Sequence, residues 1–193
     1  MITEYHFPTL IYIKDIPNAI QLNQYLEQKI IQWSKQNRGV SKTNAGGWHS
    51  ETNMNKKKEY NPLTKELFNM QEELYQKEHL SIKPVLANMC SNINYPGCFN
   101  RPHIHPNSLF SGVYFIKTPP NSGNLMLYDP RPGIQMSMPS RKKEQLKSEL
   151  WREVHYEPVA GRCIMFPSWL WHEVKPNESN DIRISVSFNF LQR

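Results

Sequence analysis

A chain of 193 residues with 38% apolar and 21% charged residues, five Trp, nine Tyr and eight Phe can bury one substantial core and is too aromatic to stay disordered. A formal charge of +6 suits an anionic partner, yet the basic runs 56–58 and 141–143 accompany no nucleic-acid motif and read as solvated charge, so nucleic-acid binding is not favoured. The odd set Cys90, Cys98 and Cys163 has no CxxC spacing, which argues against a disulfide framework or a zinc ribbon and fits a reducing cytoplasm.

The first apolar run, FPTLIYIKDI, is too short for a bilayer and is interrupted by Lys14 and Asp15, so it reads as a strand and not as an anchor or signal. From Asp15 the texture becomes helical. Asp15 can cap, Pro17 fits a first turn, and Leu22, Leu26, Lys29 or Ile30, and Trp33 recur at helical spacing as far as Gly39. SKTNAGGWHSETNMNKKK follows with neither helical nor strand periodicity, which predicts a long loop, where His49 is a candidate ligand by residue type alone. A second helix opens at Asn61 and Pro62 and carries Leu63, Leu67, Met70 and Leu74 on one stripe to about Glu78.

After Pro84 the runs VLANMCSNIN, SLFSGVYFIK, NLMLYD, EVHYEP, GRCIMF and IRISVSFNF have strand character, and turn-rich stretches such as NYPG, TPPNSGN and KPNESND separate them. Many short strands at this spacing predict a barrel or a double-sheet jelly roll. A short amphipathic helix is expected at 141–152, around Leu146, Leu150 and Trp151. The whole reads as one mainly β domain over 1–193, with helical support at roughly 15–80 and a jelly-roll core at roughly 82–191.

Within RPHIHPN, alternation along a strand would send His103 and His105 to one face, where two imidazoles can share a metal, and the flanking prolines favour a strand end. His172, beyond a short turn after GRCIMF, could complete a facial set of three ligands with open positions for chemistry. In the last strand Arg183, Ser185, Ser187 and Asn189 alternate with Ile184, Val186, Phe188 and Phe190, so one face is polar and must line water or a ligand. There Arg183 with Ser185 can grip a carboxylate, or Arg183 can pair with a structural acid such as Asp129 or Glu173.

GGWHS, NYPGCFNRPHIHPNSLFSGVYF, LYDPR, FPSWLWHEVKP and RISVSFNF resemble small, largely uncharacterised Fe(II)- and 2-oxoglutarate-dependent oxygenases of bacteria and phages, from about residue 5 to 190. The resemblance implies a double-stranded β-helix, a cupin-like jelly roll. It places His103 at the first His of the metal motif, His105 where an acid usually stands, His172 at the distal His, and Arg183 with Ser185 at the far carboxylate of 2-oxoglutarate. Tyr114 resembles the hydroxyl residue that often assists there, or else is a core tyrosine with a satisfied hydroxyl.

The expected cofactors are Fe(II) and 2-oxoglutarate, and the expected reaction is hydroxylation of a small molecule or peptidyl residue coupled to decarboxylation to succinate. Asp129 or Glu173 could supply a carboxylate to the metal instead, and His155 is a spare histidine. The rival readings are a three-histidine, cupin-like oxygenase that dispenses with 2-oxoglutarate and a non-catalytic jelly roll that holds nucleic acid or another anion. Gly46 to His49 and 130–139 are the expected substrate walls, and these folds often form homodimers through their N-terminal helices.

Overall fold

The computed structural model describes residues 1–81, 83, 85–131, 133, 136, 139, 140, 142 and 147–191. Residues 1–11 have no regular secondary structure and precede β1, which covers only Tyr12–Asp15 of the first apolar run. Asp15 does not cap the helix that follows. Its carboxylate accepts hydrogen bonds from Arg162 Nε and Nη2 at 2.8 and 3.0 Å, tying this strand to a later one. Helix α1, Ala19–Gln36, starts instead after Asn18, which adopts the left-handed conformation and makes no side-chain cap bond.

The predicted loop contains two short strands, β2 at Asn44–Ala45 and β3 at Trp48–His49. Two-residue strands leave no periodicity to read. Helix α2, Asn61–Lys77, has Pro62 in its first turn and buries Leu63, Leu67, Met70 and Leu74 as their spacing requires. The remaining strands are β4 Val85–Asn94, β5 Phe99–His103, β6 Phe110–Lys117, β7 Leu125–Tyr128, β8 Glu153–Tyr156, β9 Arg162–Pro167, β10 His172–Val174 and β11 Arg183–Leu191. Of the helix expected at 141–152, residues 141 and 143–146 lie outside the described residues, and the described part at 147–152 has only a 3-10 turn at Ser148–Leu150 in place of a helix.

These strands build two antiparallel sheets. One has the order β1-β9-β6-β11-β4-β3 and the other β2-β5-β10-β7-β8. From β4 onward the chain passes back and forth between the sheets, which is the winding of a double-stranded β-helix.

The alternation in β11 sorts its residues between two layers. Ile184, Val186, Phe188 and Phe190 join Leu26, Ile30, Leu63 and Leu67 in a core between the helices and the six-stranded sheet. Each fully buried aliphatic side chain there contributes about 1.5–3 kcal/mol. A smaller core between the sheets is made by Val113, Phe115, Leu125, Leu127, Ile164 and Phe166. It fills only one half of the sandwich. On the other half β4 and β11 present Asn92, Asn94, Ser185 and Asn189, all buried, opposite Asn100 of β5.

Candidate metal centre

Strand pairing brings the histidines together. In β10 His172 stands directly opposite His103 at the end of β5, and on its other side opposite Leu127 of β7. Directly opposed residues of antiparallel strands have their Cβ atoms about 5 Å apart, so this register alone makes the two rings neighbours. His105 lies beyond the end of β5, and the expected strand alternation does not carry it. Its position comes from a turn. The His105 amide donates to Ser168 O at 3.0 Å, the Ser168 amide donates to Leu109 O at 3.1 Å, and the Ser168 hydroxyl donates to Ser108 O.

The three rings converge, with centroids 4.2 Å apart for His103 and His172, 4.9 Å for His103 and His105, and 5.1 Å for His105 and His172. One nitrogen from each lies within 4.8 Å of the others. A carbonyl oxygen can only accept, so the contacts from His103 Nδ1 to Arg101 O at 2.7 Å and from His172 Nδ1 to Leu170 O at 2.8 Å put the proton on Nδ1. That leaves the Nε2 lone pair of each ring free for a metal. His172 Nε2 lies 3.2 Å from His105 Nε2, a spacing that two ligands of one ion can adopt.

Burial, then the neighbouring His103, holds His172 down to about 3 and His105 down to about 4, so these rings are neutral and ready to ligate at physiological pH. Burial lowers His103 as well. His172 also packs against the Phe166 ring at 4.7 Å, with the apolar half of the sandwich behind it.

Arg183 occupies the polar half and is 1% exposed. Its Nη1 donates to the carbonyls of Ser122, Gly123 and Lys175, at 3.0 and 3.3 Å for the latter two. Its Nε and Nη2 are buried without a partner, as are Ser122 Oγ and Asn94 Oδ1. Burial pushes the guanidinium down to about 10. A buried fork with two unused donors is a receptor for a planar anion, and the donor set therefore fits a carboxylate. Among the described residues no acid fills that place. Asp129 binds Arg131 at 2.6 Å, and Glu173, on the outer face of its sheet, accepts from Tyr128 Oη and Lys175 Nζ at 2.6 Å each. The same contacts remove both acids as metal ligands in this arrangement.

Tyr114 is a core residue. It is fully buried on the helix side of β6, opposite Val186, and its hydroxyl donates to Asn23 Oδ1 at 2.6 Å. Val113 and Phe115, its neighbours in β6, face the space between the sheets instead. His155 contacts Glu153 at 3.1 Å, away from the three histidines. His49 is buried, not solvated, with Nδ1 on Ser50 O at 2.6 Å and Nε2 3.6 Å from Cys90 Sγ. Sequence reasoning missed Ser122 and the asparagines of β4 and β5. Asparagine is a weak strand former, and its only signal was recurrence at alternate positions in VLANMCSNIN.

Fold and site together define a double-stranded β-helix protein with an imidazole cluster at one end of the sandwich and a buried cation within it. The model of the family described as "Putative 2OG-Fe(II) oxygenase" matches residues 88–189, and the chain belongs to this family of oxidoreductases. The family uses Fe(II) and 2-oxoglutarate, and in this chain three histidines stand where its usual His-x-Asp and distal His would be.

Among solved structures, a Pseudomonas putida prolyl-4-hydroxylase is similar over 96% of this chain and 94% of that one, at 17% identity and a TM-score of 0.68. A prolyl hydroxylase from Trichoplax adhaerens, in complex with a hypoxia inducible factor peptide, covers 94% of this chain and 83% of its own, at 15% identity and a TM-score of 0.65. The α-ketoglutarate dependent epimerase SnoN of nogalamycin biosynthesis covers 95% and 76%, at 12% identity and a TM-score of 0.68. At these identities the likeness is one of fold. No curated protein matches. No helix among the described residues is long and apolar enough to cross a membrane.

Proposed function

We propose that the protein is a Fe(II)- and 2-oxoglutarate-dependent dioxygenase that hydroxylates its substrate, with His103, His105 and His172 as metal ligands and Arg183, assisted by Ser185, as the anchor of 2-oxoglutarate. The observation that carries this reading is the pair of buried, unpartnered Arg183 nitrogens in the sandwich that also holds the three histidines. Metal and keto acid, when bound, supply the oxidant, with the keto acid decarboxylated to succinate.

The chain's own residues do the rest. The carbonyls of Arg101 and Leu170 fix the tautomers of His103 and His172, so that Nε2 faces the ion. Ser122, Gly123 and Lys175 aim the guanidinium by holding Nη1 and leaving the other two nitrogens for a carboxylate. Phe166 and the apolar core behind it keep water off the back of His172. A cleft of about 1040 Å³, walled by Leu127, Asp129, Tyr156 and Leu170 and not by the three histidines themselves, lies along β7 and β8 and offers room for a substrate. The fold neighbours include enzymes named for prolyl and for antibiotic substrates, and both a peptidyl residue and a small molecule are consistent with a cleft of that size.

The test is release of succinate from 2-oxoglutarate by the purified protein supplied with Fe(II). Failure to bind 2-oxoglutarate, together with no turnover, would sink the proposal. The three-histidine set itself favours a second reading, an oxygenase that binds substrate directly to the metal and leaves Arg183 without a role in cofactor binding.

A further inference from the structure

We propose that the substrate of this site is an anion, carrying a carboxylate or phosphate group that lies beside the metal. The inference rests on the reading just given and follows from the charge that the site leaves uncompensated. Imidazoles that ligate a metal are neutral, so a divalent ion held by His103, His105 and His172 keeps both of its charges. Arg183, buried without an acidic partner, adds a third. A dianionic keto acid removes two, and one positive charge remains. In the common arrangement of two histidines and a carboxylate the acidic ligand removes it.

No other group among the described residues of the sandwich does so. The inward positions of β4, β5 and β11 include Asn92, Asn94, Asn100, Ser185 and Asn189, all neutral, and those of β6, β7 and β9 are apolar apart from Ser111 and, at the start of β9, Arg162, which is paired with Asp15. Around the cleft Asp129 binds Arg131, while Glu4, Glu149 and Glu153 are exposed to solvent, which screens their charge. Glu173 faces away, bound to Lys175 and Tyr128. An unpaired charge in a mostly buried site is costly, and a ligand that brings the missing negative charge gains what the protein does not supply.

The experiment loads the protein with Co(II) and 2-oxoglutarate and follows the visible absorption of the ion during titration with acetate, inorganic phosphate, chloride and the neutral isostere acetamide. Acetate or phosphate should bind about tenfold or more tightly than acetamide, the order expected for one unit charge a few ångströms away in a partly solvated site. His105→Asp, which restores the acidic ligand, should erase that preference while 2-oxoglutarate still loads. Acetate and acetamide binding alike to the loaded wild-type protein would overturn the inference and leave the dioxygenase reading standing. Chloride binding as well as acetate and phosphate would assign the charge to a free inorganic ion and overturn the substrate assignment. Absence of 2-oxoglutarate loading would overturn both.

Discussion

Replacing Arg183 by methionine separates what this side chain does for the fold from what it does for a ligand. In the protein alone the guanidinium is buried with two nitrogens unpaired, and burial lowers its pKa from the ordinary arginine value to about 10. At 1.36 kcal/mol per pH unit, holding the charge there costs about 3 kcal/mol. Against this, Nη1 makes hydrogen bonds to the carbonyls of Ser122, Gly123 and Lys175. Nη1 has two hydrogens for these three contacts, and two bonds from a charged donor contribute about 1.5–3 kcal/mol each, which offsets the burial cost or exceeds it by up to about 3 kcal/mol. Methionine of similar length should therefore cost no more than about 3 kcal/mol of stability. Binding should respond differently. Truncating one member of a buried, hydrogen-bonded charge pair costs about 2–5 kcal/mol, and even 3 kcal/mol weakens 2-oxoglutarate by roughly a hundredfold. Calorimetric titration of the Mn(II)-loaded protein reads the affinity, and urea unfolding reads the stability. A folded Arg183→Met variant that binds 2-oxoglutarate as wild type does would refute the carboxylate role and move the assignment to the oxygenase that dispenses with the keto acid.

Three further outcomes are expected. Tyr114→Phe should leave 2-oxoglutarate affinity unchanged and cost about 1–2 kcal/mol in urea unfolding, because the buried Asn23 Oδ1 loses its donor; a loss of affinity with no loss of stability would return Tyr114 to the cofactor site. Gly123 has φ +90°, and a Cβ there would press on the Lys175 carbonyl and lie 2.5 Å from Pro176 O. Gly123→Ala should therefore cost about 1–3 kcal/mol and weaken 2-oxoglutarate by disturbing the carbonyls that aim Arg183, as melting and titration would show. In the metal-free protein His105 has a folded pKa of about 4 against an ordinary 6.5. The unfolded chain then binds the extra proton first, so stability is full above pH 6.5 and falls as pH drops toward 4. The loss is about 3 kcal/mol at 1.36 kcal/mol per pH unit, and a flat urea midpoint between pH 7 and 4.5 would contradict it.

Much of this architecture could be read from the sequence because the residues that carry it repeat. Leu63, Leu67, Met70 and Leu74 mark α2, and the alternation from Arg183 to Phe190 separates the helix-facing side of β11 from the side that lines the sandwich. What escaped was short or depended on register. β2 and β3 have two residues each, β10 has three, and β5 contains Pro102, so none shows a period of its own. Tyr114 sits on the expected strand yet faces the helices, since a shift of one residue exchanges the two faces and the sequence does not reveal which pairing β6 adopts.

The histidines show how a correct grouping can have a different cause. Alternation within one strand was the reason for joining His103 to His105, yet β5 ends at His103 and the nearest ring to His103 belongs to His172, across a strand pair. His105 joins them through a turn pinned by Ser168, one turn residue that bonds both the His105 amide and the carbonyl of Ser108. A ligand on such a turn is set by hydrogen bonds to the backbone, and its own side chain can change without breaking a sheet ladder. His105 is thus the ligand position at which an acid and an imidazole can exchange at least structural cost, and that exchange alters the charge of the site by one unit while His103 and His172 keep their register.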